Sequence, residues 1–363
     1  MAFSAEDHAL MARALALGAR GRDTATPNPS VGCVIAKHGR VIGEGWHARA
    51  GEPHAEAAAL AACTASPEGA TAYVTLEPCS HHGRTPPCAE ALVAARVGRV
   101  VAALEDPNPL VKGRGLGLIG AAGIRVETGL LEAAARELHR GFLARMARGR
   151  PWIRIKAAAS LDGGIALANG ESRWITGEAA RRDVHALRAR SCAMLTGIGT
   201  VLRDDPELTV RHVPCGRQPR RVVIDSRLEL PAAARILDGE PPLVLTVSED
   251  RARRAALEAR GAEVVTVAAD AGKTDLAAVA RLLAERGFNE VTVETGTKLN
   301  GSLLRAGVVD EIVLYCAPLL MGDAARGIFA LPEFTDLGQA PRPRVVDVRA
   351  VGADLRITAR LEE

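Results

Sequence analysis

Aromatic side chains are scarce: three Trp, two Tyr and five Phe amount to 3% of 363 residues. So few rings leave little to stack on unpaired bases, which counts against a single-strand nucleic-acid binder. A surplus of one charge is also missing. The 46 basic and 43 acidic residues with neutral histidines leave +3, too mild to argue for a polyanionic partner. No stretch of about 18 apolar residues occurs, so no membrane span is expected. The start carries Glu6, Asp7 and His8 where a secretory signal needs a basic stretch and then an unbroken apolar core, so none is expected and the cytoplasm is the predicted compartment. Seven cysteines, an odd number spread along a long chain, read as reduced thiols with room for a metal site rather than a disulfide framework. Lysine is rare too, at five of the 46 basic residues; the guanidinium forks of the remainder suit phosphate, and compositional bias explains them equally well.

What is present fits a folded enzyme-sized chain. Hydrophobic residues are 48% and charged residues 25%. At roughly 100–200 residues per domain, the length predicts about two domains, each able to bury its own core. Ser4, followed by Glu6 and Asp7, signals a helix start. VGCVIAKHGRVIGEGW alternates about His38-Gly39 as a hairpin would. A helix at 54–63, a strand at 71–79, and helix–strand alternation up to a long helix ending near GRP (149–151) complete one α/β pattern. The second half restarts with WIRIKAAASLDG and alternates strands and helices as far as EIVLYCAP, which predicts a mostly parallel sheet covered on both faces. The expected division is 1–146 and 147–363.

The first half carries a metal-ligand constellation. His54-Ala55-Glu56 opens a helix, Pro78-Cys79 ends a strand, and Cys88 opens another helix. One imidazole and two thiolates suit the borderline softness of zinc and leave a fourth position for water. A Glu two residues after the His is the proton shuttle of zinc deaminases, not a ligand. The usual C-x-x-C is widened here to Cys79-SHHGRTPP-Cys88. Cys33 and Cys63 lie in apolar stretches and read as core.

TPNPSVGCVI, HAE and TLEPCSHHGRTPPC together resemble the bifunctional riboflavin-biosynthesis deaminase–reductase family. The resemblance continues through KAAASLDG, GESRWIT, RRDVHALRA, LTGIGTVLRDDPELTVR, VVIDS and VETG, and so covers nearly the whole chain. It implies a cytidine-deaminase-like α/β/α domain followed by a dihydrofolate-reductase-like α/β domain that uses NADPH. Residue by residue, it implies zinc on His54, Cys79 and Cys88, with Glu56 as proton carrier. Asn28 and His47 would recognise the pyrimidine, and His81 and Arg84 would lie beside the ribose phosphate. His47 reads equally as a surface histidine; His82 has no assigned task.

Gly115-x-Gly117-x-x-Gly120 matches the dinucleotide fingerprint in letters only. It does not follow a strand directly, and the acid that should stand about 20 residues on falls in a helix. TGIGT (196–200) and VETGTKLNGSLL are the better cradles, each a strand-to-helix turn with amides available to phosphate. The resemblance implies NADPH contacts at Ala158, Trp174, Thr200, Asp204, Ser226, Gly296, Thr297, Lys298, Leu299, Asn300, Gly301 and Ser302. It implies substrate contacts at Ser172, Arg188, Leu208, Arg211 and Glu294. Trp174 could instead be a core aromatic. Opening the sugar needs an acid/base group, for which Lys156 and Glu294 are the candidates.

The expected chemistry is hydrolytic removal of the 2-amino group of 2,5-diamino-6-(5-phosphoribosylamino)pyrimidin-4(3H)-one, then reduction of the ribosyl group to ribityl. The expected partners are this small phosphoribosylaminopyrimidine and further copies of the chain in a homo-oligomer, without nucleic acid or membrane. One rival is a nucleic-acid or nucleoside deaminase with an appended α/β domain. Another is a binding module with a structural zinc, which would need a fourth ligand.

Overall fold

The computed structural model describes residues 3–80, 87–109 and 111–361. Two compact units divide the chain, Met1–Gly149 and Arg150–Glu363. The division falls slightly beyond the expected 146/147 because the last helix of the first unit runs to Arg148 and is closed by Gly149 in the left-handed conformation.

In the first unit, helix α1 (Ala5–Ala19) starts at a capping box in which the Ser4 hydroxyl accepts the Asp7 N–H and the Asp7 carboxylate accepts the Ser4 N–H. Strands β1 (Gly32–Lys37) and β2 (Arg40–Trp46) form the expected hairpin. Helix α2 (Ala55–Ala61), β3 (Thr71–Val74), α3 (Cys88–Ala94), β4 (Arg99–Ala102), α4 (Arg114–Ala121), β5 (Arg125–Thr128) and α5 (Glu132–Arg148) follow. The sheet order is β2-β1-β3-β4-β5, with β3, β4 and β5 parallel. Two glycines show how it is covered. A Cβ on Gly32 would lie 2.0 Å from the Ala14 carbonyl of α1, and one on Gly45 would lie 2.5 Å from the Ala55 carbonyl of α2. Gly45 pairs with Cys33, one residue beyond Gly32, so the two glycines face opposite sides of the sheet. The helices therefore sandwich it, with Val34, Ile35, Val74, Val100 and Val101 buried between.

The second unit contains β6 (Trp152–Ser160), β7 (Gly164–Ala166), α6 (Glu178–Arg190), β8 (Ala193–Gly197), α7 (Ile198–Asp204), β9 (Arg220–Ile224), β10 (Leu243–Thr246), α8 (Arg251–Glu258) and β11 (Glu263–Thr266). Then come β12 (Ala269–Asp270), β13 (Lys273–Thr274), α9 (Leu276–Glu285), β14 (Glu290–Val293), α10 (Thr297–Arg305), β15 (Glu311–Ala317), β16 (Arg326–Gly327), β17 (Arg344–Val351) and β18 (Asp354–Arg360). The large sheet has the order β11-β10-β9-β8-β14-β6-β15-β18-β17, parallel from β11 to β15. Its inner strands are nearly continuous apolar runs because both faces are covered. The antiparallel β17–β18 hairpin at the edge goes beyond the sequence expectation, which ended at EIVLYCAP. Most of β17 is exposed or half-buried, so it carries no clean apolar alternation to read. No helix among the described residues is long and apolar enough to cross a membrane.

Candidate active sites

In the first unit, the candidate metal ligands meet where two helices begin. His54 is the N-cap of α2 and makes no side-chain cap bond, which leaves its imidazole for other work. Cys88 is the first residue of α3, and Cys79 follows the carboxyl end of β3. The His54 Nδ1 lies 3.5 Å from the Cys79 Sγ and 3.4 Å from the Cys88 Sγ. All three donor atoms fall within 4.8 Å of one another. A tetrahedral zinc with bonds of about 2.3 Å to sulfur and about 2.0–2.1 Å to nitrogen sets S···N edges of roughly 3.5 Å, so this donor set fits the ion. Among the described residues no fourth His, Cys, Asp or Glu joins the group. The Cys79 thiol is brought down to about 4 by a hydrogen bond from the Cys88 thiol, assisted by His54 and by the Cys88 N–H at 3.4 Å. That favours the thiolate a metal requires.

Glu56 lies beside this group in the first turn of α2, 3% exposed. Burial, reinforced by the Cys79 charge, pushes its carboxyl up to about 7, the range in which a group can both take and give a proton. His47 is buried, not a surface histidine. Its Nδ1 donates to the Pro53 carbonyl at 3.0 Å, which leaves Nε2 to accept from the Asn28 amide at 3.0 Å. Its ring meets that of His54 edge-on at 5.2 Å. Asn28, His47 and His54 thus form one wall. His81, His82 and Arg84 lie outside the described residues.

Sequence reasoning overlooked Glu77. Its buried carboxylate accepts the N–H groups of Asp106, Gly113, Gly115 and Leu116 at 3.0–3.2 Å. It therefore caps α4 and fixes the chain two residues before Cys79. The glycines of the false fingerprint lie inside α4, where a Cβ on Gly115 would lie 1.9 Å from the Pro78 carbonyl. Gly115 serves close packing against the cysteine loop, not a dinucleotide. The adjoining acid in TLEPC was the available signal, but only the fold shows which amides it receives.

In the second unit, charged side chains converge beyond the carboxyl ends of the parallel strands, where open α/β sheets bind ligands. Glu294, just past β14, receives Arg188 of α6 through both nitrogens of its fork, at 2.6 and 2.9 Å, and Lys156 of β6 at 3.5 Å. Burial alone would raise the Glu294 carboxyl, but Arg188 and Lys156 outweigh it and hold it well below the usual carboxylate range. A carboxylate kept ionised is no proton donor. Arg188 also donates to the Thr209 carbonyl at 3.0 Å, so its fork is engaged within the protein. Arg211 is exposed, paired with Glu207, and donates to the Thr209 hydroxyl at 2.8 Å.

Trp174 is 71% exposed, which rules out a core role; the Arg181 guanidinium lies 4.7 Å from its ring centre. Arg173 donates to the Asp204 carbonyl at 2.7 Å, tying this segment to the end of α7. The Thr200 hydroxyl meets that of Thr295 at 3.3 Å, and the Ser226 hydroxyl accepts the Thr274 N–H at 3.1 Å. Ala158 and Ser172 are half-buried. Helix α10 begins at Gly296 without a side-chain cap, space is open around the Gly296 Cα, and Lys298 is exposed in the first turn. Uncapped first-turn amides beside an ammonium fit a pyrophosphate. The rest of the segment turns away. Asn300 is buried and donates to the Ile328 carbonyl, and a Cβ on Gly301 would lie 2.1 Å from the Ala330 carbonyl. Leu299 packs on the core, Ser302 bonds the Lys298 carbonyl, and Thr297 bonds the Gly327 carbonyl at 2.7 Å. Leu208 has φ 53° and a buried side chain, so only its main chain can meet a ligand.

Residues 4–104 match the family described as the cytidine and deoxycytidylate deaminase zinc-binding region, and residues 151–357 match the RibD C-terminal domain. The riboflavin biosynthesis protein RibD of Escherichia coli is 48% identical over 364 residues, covering 96% of this chain and 98% of that protein. The Haemophilus influenzae protein of the same name is 44% identical and covers 98% of each. Acinetobacter baumannii RibD superposes with a TM-score of 0.92 at 42% identity over 99% of each chain. A Thermotoga maritima structure described as a diaminohydroxyphosphoribosylaminopyrimidine deaminase/5-amino-6-(5-phosphoribosylamino)uracil reductase gives 0.87 at 33% identity over 98% of this chain and 99% of that one.

Proposed function

The chain belongs to the RibD family of riboflavin biosynthesis proteins, and on that premise we propose how its two units divide the family's deaminase and reductase chemistry among particular residues. The chain is a bifunctional enzyme, a zinc hydrolase and an NADPH-dependent oxidoreductase. The observation that carries the first assignment is a set of three donors, the only ones gathered there among the described residues, with a buried carboxyl beside it. His54, Cys79 and Cys88 hold the zinc, which when bound supplies Lewis acidity toward water. Glu56 accepts a proton from the attacking water on its carboxylate oxygen and delivers it to the departing amine. The C2–N bond breaks, a C2–O bond forms, and ammonia leaves. Asn28 and His47 orient the pyrimidine edge, and His81 and Arg84 serve the ribose phosphate.

In the second unit the supporting observation is the Lys156–Glu294–Arg188 group with the uncapped α10 amides nearby. NADPH, when bound, supplies the hydride. The first turn of α10 receives its pyrophosphate, while Trp174, Thr200, Asp204, Ser226 and Ala158 line its path. Arg211, the Leu208 main chain and Ser172 hold the phosphorylated substrate, with Arg188 and Glu294 framing the sugar. Lys156 delivers the proton that opens the ribosyl ring before reduction at C1.

The same reading makes the protein a cytoplasmic homo-oligomer that needs neither nucleic acid nor membrane. The near balance of charge and the shortage of aromatics support it over a nucleic-acid deaminase. The test is to supply the diaminopyrimidine phosphate with and without NADPH and follow ammonia and NADPH separately. Ammonia should appear without NADPH, and NADPH should be consumed only once deamination has begun. NADPH oxidation that runs ahead of ammonia release would reverse the proposed order. NADH used as efficiently as NADPH would defeat the cofactor assignment.

A further inference from the structure

Between α7 and β9 the chain runs without regular secondary structure, yet three consecutive residues have their main chain held by side chains, two from α6 and one from later in the same segment. The Thr209 carbonyl accepts from Arg188 at 3.0 Å. The Val210 N–H donates to the Gln218 side-chain carbonyl at 2.8 Å, and the Gln218 amide returns a bond to the Val210 carbonyl at 3.0 Å. The Arg211 N–H donates to His185 Nδ1 at 3.1 Å. His185 and Arg188 stand three residues apart on α6, hence on one face of it. The His185 ring is buried and is closed edge-on by that of His212 at 4.4 Å. Because Nδ1 accepts, the ring proton sits on Nε2.

These bonds build neither strand nor helix; what they fix is the origin of the Arg211 side chain. A long, exposed guanidinium loses much rotamer freedom when it grips a phosphate, and a fixed starting point lowers that cost. We propose that His185 is a positioning residue of the reductase site, which holds the Arg211 main chain so that its guanidinium meets the substrate phosphate. The inference rests on the reading of Arg211 as that phosphate contact.

The experiment measures steady-state reduction of the deaminated phosphoribosylaminouracil by full-length variants. Arg211→Ala should raise KM for this substrate about 10–100-fold, the weight of a charged hydrogen-bonding partner. His185→Ala should raise the same KM about 3–10-fold, with kcat, the KM for NADPH and deamination near wild type. His185→Asn places an amide oxygen near the Nδ1 position and should restore KM; His185→Gln reaches past it and should not. If His185 acts through Arg211, the double Ala variant should be no worse than Arg211→Ala alone. An Arg211→Ala KM equal to wild type would overturn the phosphate contact, and the inference with it. With Arg211→Ala impaired, an unchanged KM in His185→Ala, or strictly additive losses in the double variant, would overturn the positioning role alone. Should His185→Ala fail to fold, the Asn and Gln variants decide: equal KM values for the two would overturn it.

Discussion

The two sites are built on opposite principles. The proposed deaminase site takes its donors from a short stretch of chain, His54 to Cys88, and packs them within 4.8 Å of one another, around a place for one ion. The proposed reductase site draws Lys156, Arg188, Arg211 and Glu294 from separate strands, a helix and a loop, and ties them in by ion pairs and main-chain bonds. A metal site tolerates little displacement, so its ligands sit at the starts of helices and the end of a strand. A site for a phosphorylated sugar and a dinucleotide spreads over a wide surface, so its groups come from distant parts of the chain and must be held in place by one another.

The sharpest break of this contrast is Cys79→Ser. It should remove zinc, about one per chain by metal analysis, and abolish deamination while reduction of the deaminated substrate continues. Glu56→Gln keeps the metal and the shape and should lower deamination by roughly 10²–10⁴, the usual weight of a general acid/base. Loss of reduction in either folded variant would mean the two sites are not separate. On the reductase side, Arg188→Ala leaves Glu294 with only Lys156, and breaking a buried pair typically costs about 3–5 kcal/mol. Denaturant unfolding should register that loss in the second unit, with zinc content unchanged.

The glycines of α4 offer a finer test. Gly115→Ala must displace the Pro78 carbonyl and should destabilise by about 1–3 kcal/mol while hastening zinc loss to a chelator. Gly117→Ala and Gly120→Ala meet nothing within 4 Å and should stabilise the helix by about 0.5–1 kcal/mol. A phosphate-binding fingerprint would show NADPH binding weakened by all three. The smallest expected effect is in acid. Burial holds His139 of the first unit at about 4, and burial with the Arg188 charge holds His185 of the second at about 4, against an ordinary 6.5. At these two histidines the folded chain binds fewer protons than the unfolded chain, so their contribution to stability is complete above about 6.5 and is lost as the pH drops toward 4; Glu56, raised to about 7 by burial, works in the opposite direction. The check is a difference: between pH 7 and about 5.5 the first unit's Tm should fall more steeply in the wild type than in His139→Gln, by about a degree.

Legibility in the sequence followed the same contrast. The hairpin at His38-Gly39, the capped start at Ser4 and the α/β alternation of both units were readable because turn chemistry and apolar period are local. His54, Glu56, Cys79 and Cys88 could be picked out together because their types and spacing already state a coordination chemistry. The edge hairpin 344–360 escaped notice because a mostly exposed strand shows no clean apolar alternation.

Residue types, periodicity and spacing by themselves determined the two α/β units, the donor set and the family resemblance, since each depends on neighbours within a few tens of residues. Only the tertiary structure decided that Glu77 anchors the cysteine loop to α4, that Glu294 is held ionised between Arg188 and Lys156, and that Asn300 and Gly301 face a neighbouring loop. It also decided that His185 accepts the Arg211 N–H. Hydrogen bonds and ion pairs depend on distance in space, and residues a hundred positions apart, such as Arg188 and Glu294, can pair only when the fold brings α6 to the end of β14.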